Sequence, residues 1–448
     1  MSETPLFSDA DGSDQPAERA VPDLGPPPPP RLRRPRRDQM LLRPTSLEEI
    51  LAEDHPARQI WALVLTWDLS AFLATVKARG ERPGRPATDP TLLVALWLYA
   101  ATQGVAGARE LARLCEESDP YRWICGGVRL NYHTLSDFRV DHEDAVDGLL
   151  TQMLAVLIRG AVVTVHRIAQ DGTRVRAGAG AKSFKKGTTI EAALQAARDH
   201  VKIINRQAQR GGETTARQEA AQQRAAREKQ ERLAKALEEL AKVEQAKAAQ
   251  KDKPTKKNPP RASTTDPEAR FMRFPDGGTR PGFNVQLAAD PESRAIVEVD
   301  VTNAGSDAGL SAPMREQVEG RTGQDVKEHL LDGGYVRLDD VDQAAKDDVT
   351  LCMPVPKPRK AGADPHQPKK TDSPAVAAWR ERMGTDEAKT TYQRRASTIE
   401  TINGELKTER GLSPFRVRGL SKTRCVVLWS VLAYNFVHLG AQLLALVS

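Results

Sequence analysis

Residues 167–180, RIAQDGTRVRAGAG, decide how this sequence is read, because an apolar segment runs straight into an acid, a Gly-Thr pair and two alternating arginines. The preceding residues 161–165, AVVTV, are short and β-branched and predict a buried strand. Asp171 is then expected at or near that strand's end. A carboxylate there is costly if it is buried without a partner. Arg174 and Arg176, two apart on an extended chain, project from one face. The pattern is consistent with a salt bridge, with a capping Asp in a turn, or with a metal facing a polyanion.

A chain of 448 residues suggests about two to three domains. Lys and Arg number 66 against 60 Asp and Glu, so the net charge of +6 permits a nucleic-acid partner without requiring one. Cys115, Cys125, Cys352 and Cys425 are scattered, which excludes a C-x-x-C zinc or redox motif and suits a reducing, cytoplasmic setting. The N-terminus lacks the apolar core of a signal peptide. Residues 425–447 are apolar enough to imitate a membrane span, but Asn435, His438 and Gln442 interrupt them, so a buried core helix and no membrane contact are expected.

Residues 1–45 hold a proline run and a basic tract at 31–37 and predict a disordered, partly polyproline tail. From 46 to 160 the pattern is helical throughout and suggests a DNA-binding domain. Asp89-Pro90 starts one helix that stops at Gly104. "YRWICGG" and "NYHTLSDFRV" give two short helices around a turn, with Ser136 and Arg139 expected to be exposed. Residues 161–448 read as an α/β domain. It is interrupted at 188–260 by a charged helical hairpin whose stripe is Ile190, Leu194, Ala197, Val201 and Ile204, then Leu233, Leu237 and Leu240. Strands are expected at 283–290 and 294–303 and in "EHLLD" and "VTLCMPV", with helices near 308–319 and 338–346.

Asp332 repeats the grammar of Asp171: a short apolar run ends in an acid followed at once by glycine. A turn-forming Asp-Gly explains either alone. Both on one sheet edge suggest a shared site. The segment 392–407 supplies a third acid, since Tyr392, Arg395, Glu400 and Lys407 lie on a predicted helix where Glu400 and Lys407 share a face. Carboxylates beside cations make sense if the acids hold Mg²⁺ or Mn²⁺ and the cations hold phosphate. A solvated helix laced with Glu and Lys pairs is the plainer alternative. "AGAGAKS" is no phosphate loop, because Ala181 stands where glycine is needed before Lys182-Ser183.

The blocks "NYHTLSDFR", "AQDGTRVRA", "DPEARFMRFPDGGTRPGFNVQLAAD", "VDVTNAGSDAG", "LLDGGY" and "YQRRASTIETINGELK" resemble, in order and spacing, those of bacterial insertion-sequence transposases of the DDE class. The resemblance implies an RNase H-like mixed sheet with flanking helices, preceded by an all-α domain that helps bind the element's ends. It implies that Asp171, Asp332 and Glu400 are the catalytic acids and the ligands of two divalent ions, Mg²⁺ or Mn²⁺. Tyr392, Arg395 and Lys407 match the family's helix signature, although four residues rather than the commoner three separate Arg395 from Glu400. Arg174 and Arg176, extended by Lys182, Lys185 and Lys186, are then expected to face DNA, and the neighbouring Asp300, Asp307, Asp339 and Glu405 to lie outside the catalytic set. The implied activity is metal-dependent cleavage and strand transfer on double-stranded DNA by a nucleoid-associated homo-oligomer. The alternatives are a transposase-derived DNA-binding protein without catalysis and a stand-alone metal-dependent nuclease.

Overall fold

The computed structural model describes residues 45–78, 86–210, 215–249, 259–358, 362–412 and 414–447. Residues 1–44 of the expected tail, with its basic tract, lie outside the described residues.

Helices lead the chain. Pro90–Thr102 is buried almost all round, as its unbroken apolar run requires. Its start is fixed by Asp89, whose carboxylate accepts from Thr91 N at 2.8 Å. Beyond its end Gly104 takes φ +69°, and a Cβ there would sit 2.6 Å from the Glu409 carbonyl oxygen, so only glycine fits. Asp119–Cys125 and Tyr132–Val140 flank a Gly126-Gly127 turn in which both glycines have positive φ. Ser136 is exposed, but Arg139 is not free as expected. Its guanidinium lies 4.8 Å over the Trp97 ring and donates to the Ala106 carbonyl.

Among the described residues eight strands follow: β1 (Arg167–Arg176), β2 (Phe184–Lys185), β3 (Ala262–Ser263), β4 (Arg270–Arg273), β5 (Thr279–Ala289), β6 (Ile296–Thr302), β7 (Glu328–Leu330) and β8 (Thr350–Cys352). The main sheet is mixed. β5 is antiparallel to β1 along one edge and to β4 and β6 along the other, while β1, β7 and β8 run parallel. The short pair β2–β3 forms a neck from which the helices Gly187–Arg210 and Ala216–Ala249 leave and return. These helices pack on each other through Ile190, Leu194, Leu233 and Leu240, in a small core separate from the main one.

The sequence placed the first strand too early. Residues 161–165 form a connection, because the helix Glu143–Arg159 ends in a turn where Ala161 adopts φ 54°. Val163 and Val165 are buried there without joining the sheet. The strand begins at Arg167 and continues five residues past Asp171, so Asp171-Gly172 lies inside β1 and is no turn.

The last helix, Leu420–Val447, is long and apolar enough by length and composition to cross a membrane. Here it packs against β6 and the helices Glu143–Arg159 and Pro90–Thr102, and two of its polar interruptions, Asn435 and His438, have partners. Asn435, buried, bonds both the N–H and the C=O of Ile296 at 2.9 Å, completing the backbone pairing of β6. His438 pairs with Glu405 at 2.8 Å.

Candidate active site

The strand register brings the two aspartates level. β1 pairs with β7 in parallel, Ala169 opposite Leu330, so Asp171 lies two residues further along β1 and Asp332 two residues beyond the end of β7. Each spends one oxygen locally. Asp171 Oδ1 accepts from Gly172 N at 3.0 Å, and Asp332 Oδ1 accepts from Gly334 N at 2.7 Å, capping the short helical turn Gly333–Tyr335. The turn role of Asp332 therefore leaves its Oδ2 free to face Arg395 at 3.8 Å.

Glu400 joins them through an irregular helix. The expected single helix over 392–407 is three pieces: Asp386–Arg395, a π-helical turn at Ala396–Glu400, and Thr401–Thr408. In a straight α-helix, residues five apart lie about 140° from one another. The i→i+5 bonding of a π-turn absorbs the extra residue and brings the fifth position back beneath the first. Glu400 Oε1 accordingly lies 3.5 Å from Arg395 Nη1. This is the physical answer to the four-residue spacing.

Arg395 is the hub. Its buried guanidinium places Nη2 3.2 Å from Asp171 and 3.8 Å from Asp332, so the three predicted acids meet around one cation. Burial raises the Asp171 carboxyl above its usual range; Arg395 and the Gly172 N–H oppose this, and the charges of Asp332 and Asp307 add to it. Burial likewise raises the Tyr392 phenol, against Arg395 and with help from Asp332, Glu400 and Asp171. Lys407 is pushed down by burial, while Asp171 pulls it back up and Arg174 adds to the lowering.

The basic residues divide. Arg176, Lys182, Lys185 and Lys186 are exposed. Arg174 is engaged, donating to Asp307 at 2.9 Å and to the Gly305 carbonyl at 3.2 Å. Asn403 escaped the sequence reading, and Asp307 figured in it only as an acid outside the catalytic set. Asn403 donates to Asp171 Oδ2 at 3.0 Å. Asp307 is clasped by Asn284 at 2.7 Å, Gln286 at 2.8 Å and Arg174, directly above Gly172. A Cβ on Gly172 would meet Gln286, Asp307 and Asn284 at 2.3, 2.5 and 2.8 Å, so this cluster is what the Asp-Gly sequence serves. The signal for Asp307 lay only in tertiary contacts. For Asn403 it was its place three residues after Glu400, on the same helical face.

The donor chemistry fits a hard divalent ion: Asp171, Asp332 and Glu400 offer carboxylate oxygens, and the buried Oδ1 of Asn403 has no hydrogen-bond partner. As they stand these groups surround a guanidinium. Among the described residues no three acidic, His or Cys groups are drawn together closely enough to hold an ion.

Two family models match this chain. A Transposase domain (DUF772) matches residues 45–141, and a Transposase DDE domain matches residues 351–440, which include Tyr392, Arg395, Glu400 and Lys407. Together they support an insertion-sequence DDE transposase. Transposases act on DNA, and a DDE domain implies divalent-metal dependence in general. No curated protein and no solved structure matches the chain.

Proposed function

We propose that the protein cuts and joins DNA at the ends of an insertion sequence, with an RNase H-like catalytic domain over residues 161–448 that carries the hairpin as an insertion. Residues 46–160 help to bind the ends. The observation that supports this reading best is the meeting of Asp171, Asp332 and Glu400 around Arg395, from three elements far apart in sequence. Asp171, Asp332 and Glu400 hold Mg²⁺ or Mn²⁺, as two ions. When bound, the metal supplies Lewis-acid activation of the nucleophile and charge stabilisation of the leaving oxygen. The exposed Arg176, Lys182, Lys185 and Lys186 hold the DNA backbone, and Tyr392 and Lys407 position the strand at the acids. Water attacks the phosphodiester, a P–O bond forms as the bond to the 3′-oxygen breaks, and the freed 3′-hydroxyl then attacks target DNA. The active form is a cytoplasmic, nucleoid-associated homo-oligomer on double-stranded DNA.

The test is to incubate the protein with a duplex carrying the terminal inverted repeats that flank its gene, in Mg²⁺ or Mn²⁺, and to map the products. Free 3′-hydroxyl ends together with joined target DNA are expected. Cutting without joining would favour a nuclease, and binding without cutting a DNA-binding protein.

A further inference from the structure

Among the described residues, the polar groups shown around the Arg395 guanidinium are carboxylates. Its Nη atoms lie 3.2, 3.5 and 3.8 Å from three different acids, and its buried Nε has no hydrogen-bond partner. No acid grips it through two parallel bonds, the geometry that makes an Arg–carboxylate pair strong and specific. The arginine side chain is 7% exposed, whereas Asp332 and Glu400 are 38% and 62% exposed, so the acids can be approached from solvent while the cation sits behind them.

We propose that Arg395 is the internal counter-ion of the metal-free site, and that a divalent ion entering the acids must displace it. This rests on the reading of the three acids as metal ligands. Three carboxylates around one buried point repel one another, and a single guanidinium offsets part of that repulsion. A divalent ion offsets more, but it draws its oxygen ligands to about 2.0–2.6 Å and needs the centre of the cluster. Two cations cannot share that centre. Arg395 stands at the junction of the helix Asp386–Arg395 and the π-turn, where its guanidinium can swing from the carboxylates to a DNA phosphate. DNA that captures Arg395 therefore tightens metal binding, and metal tightens DNA binding by the same factor. The arrangement keeps the charge of the acids partly offset until both are present.

The experiment is Mn²⁺ binding to the DNA-free full-length chain, followed by the electron paramagnetic resonance of free Mn²⁺, with folding checked by circular dichroism. Arg395→Gln is expected to bind Mn²⁺ at least about tenfold more tightly than the parent, since one positive charge leaves a low-dielectric cluster. Arg395→Lys, which keeps a charge but reaches fewer acids, is expected to fall between them and serves as the second probe if the Gln variant does not fold. Binding by Arg395→Gln equal to or weaker than the parent's would overturn the displacement, provided Asp171→Asn abolishes the parent's binding. If Asp171→Asn leaves Mn²⁺ binding untouched, the metal reading falls and takes this inference with it.

Discussion

Two buried arginines in this protein are surrounded by acids, and they are built in opposite ways. Arg321, on the helix Ser311–Thr322, bonds both carboxylate oxygens of Glu298 at 2.7 and 2.8 Å, Asp147 at 2.8 Å and Thr151 at 2.7 Å. Burial works against its charge, but the bonds to Glu298 and Asp147 prevail and raise its affinity for the proton, while Asp147 is held below the usual carboxylate range. Arg395 is as deeply buried, yet its acids stand off at 3.2–3.8 Å, two of them open to solvent, with Asp171 pushed up rather than down. The first cluster is a clamp that ties β6 and the helix Ser311–Thr322 to the helix Glu143–Arg159. The second is a loosely filled site. Charge and burial alone do not separate structure from function here; the completeness of the hydrogen bonding does.

The comparison breaks most visibly in stability. Arg321→Met should cost about 3–5 kcal/mol, because it strips Glu298, 2% exposed, of its bidentate partner and leaves only the Val299 N–H and Arg424 at 3.9 Å. Arg395→Gln should cost under about 2 kcal/mol, because Asp332 and Glu400 can turn to water. Chemical denaturation of the two variants checks both, and equal losses would erase the distinction.

Gly172→Ala should follow, with a loss of roughly 1–3 kcal/mol from overpacking against Gln286, Asp307 and Asn284. Strand cleavage should fall with it, since the Asp307–Arg174 pair sits next to Asp171. Denaturation and cleavage measured on one preparation test the link.

A third difference appears with pH. His329 on β7 is fully buried, both ring nitrogens lack partners, and burial, reinforced by Arg315, depresses its pKa to about 3. The folded state therefore keeps the ring neutral, while the unfolded chain takes up a proton near pH 6.5, so stability is lost as pH falls through that value. The loss should be roughly 1–2 kcal/mol between pH 6.5 and about pH 5, and His329→Phe should flatten it. An unchanged slope in that variant would assign the titration elsewhere.

The smallest effect is expected from the hairpin. Replacing residues 192–250 with a short Gly-Ser linker should shift the stability of the remaining fold by less than about 1 kcal/mol, because the hairpin buries its own stripe. Its ties to the rest include the ion pairs Lys235–Glu268 and Glu239–Arg270. Loss of cooperative unfolding would show that it belongs to the main core.

The acids were legible because their sequence signals are local: Asp-Gly after an apolar run, and a helix face with Tyr392, Arg395, Glu400 and Lys407. The π-turn could not be read, since the helical pattern of 386–408 persists through it and only the tertiary pull of the site favours one wide turn. The first strand was misplaced because β-branched residues at 161–165 satisfy burial equally well in a connection. Arg174 was expected at the DNA and pairs instead with Asp307, an acid 133 positions away that periodicity cannot see. Asn435, read as a flaw in an apolar helix, is the residue that completes the edge of β6.

The most direct test of the central claim is a mutant cycle across Asp171, Asp332 and Glu400, measured as cleavage of a duplex bearing the element's end in Mg²⁺ or Mn²⁺. Asp171→Asn, Asp332→Asn and Glu400→Gln should each reduce cleavage by roughly a thousandfold or more while DNA binding persists, and the triple variant should be scarcely worse than any single one. Additive losses, or normal cutting by Glu400→Gln, would contradict the account.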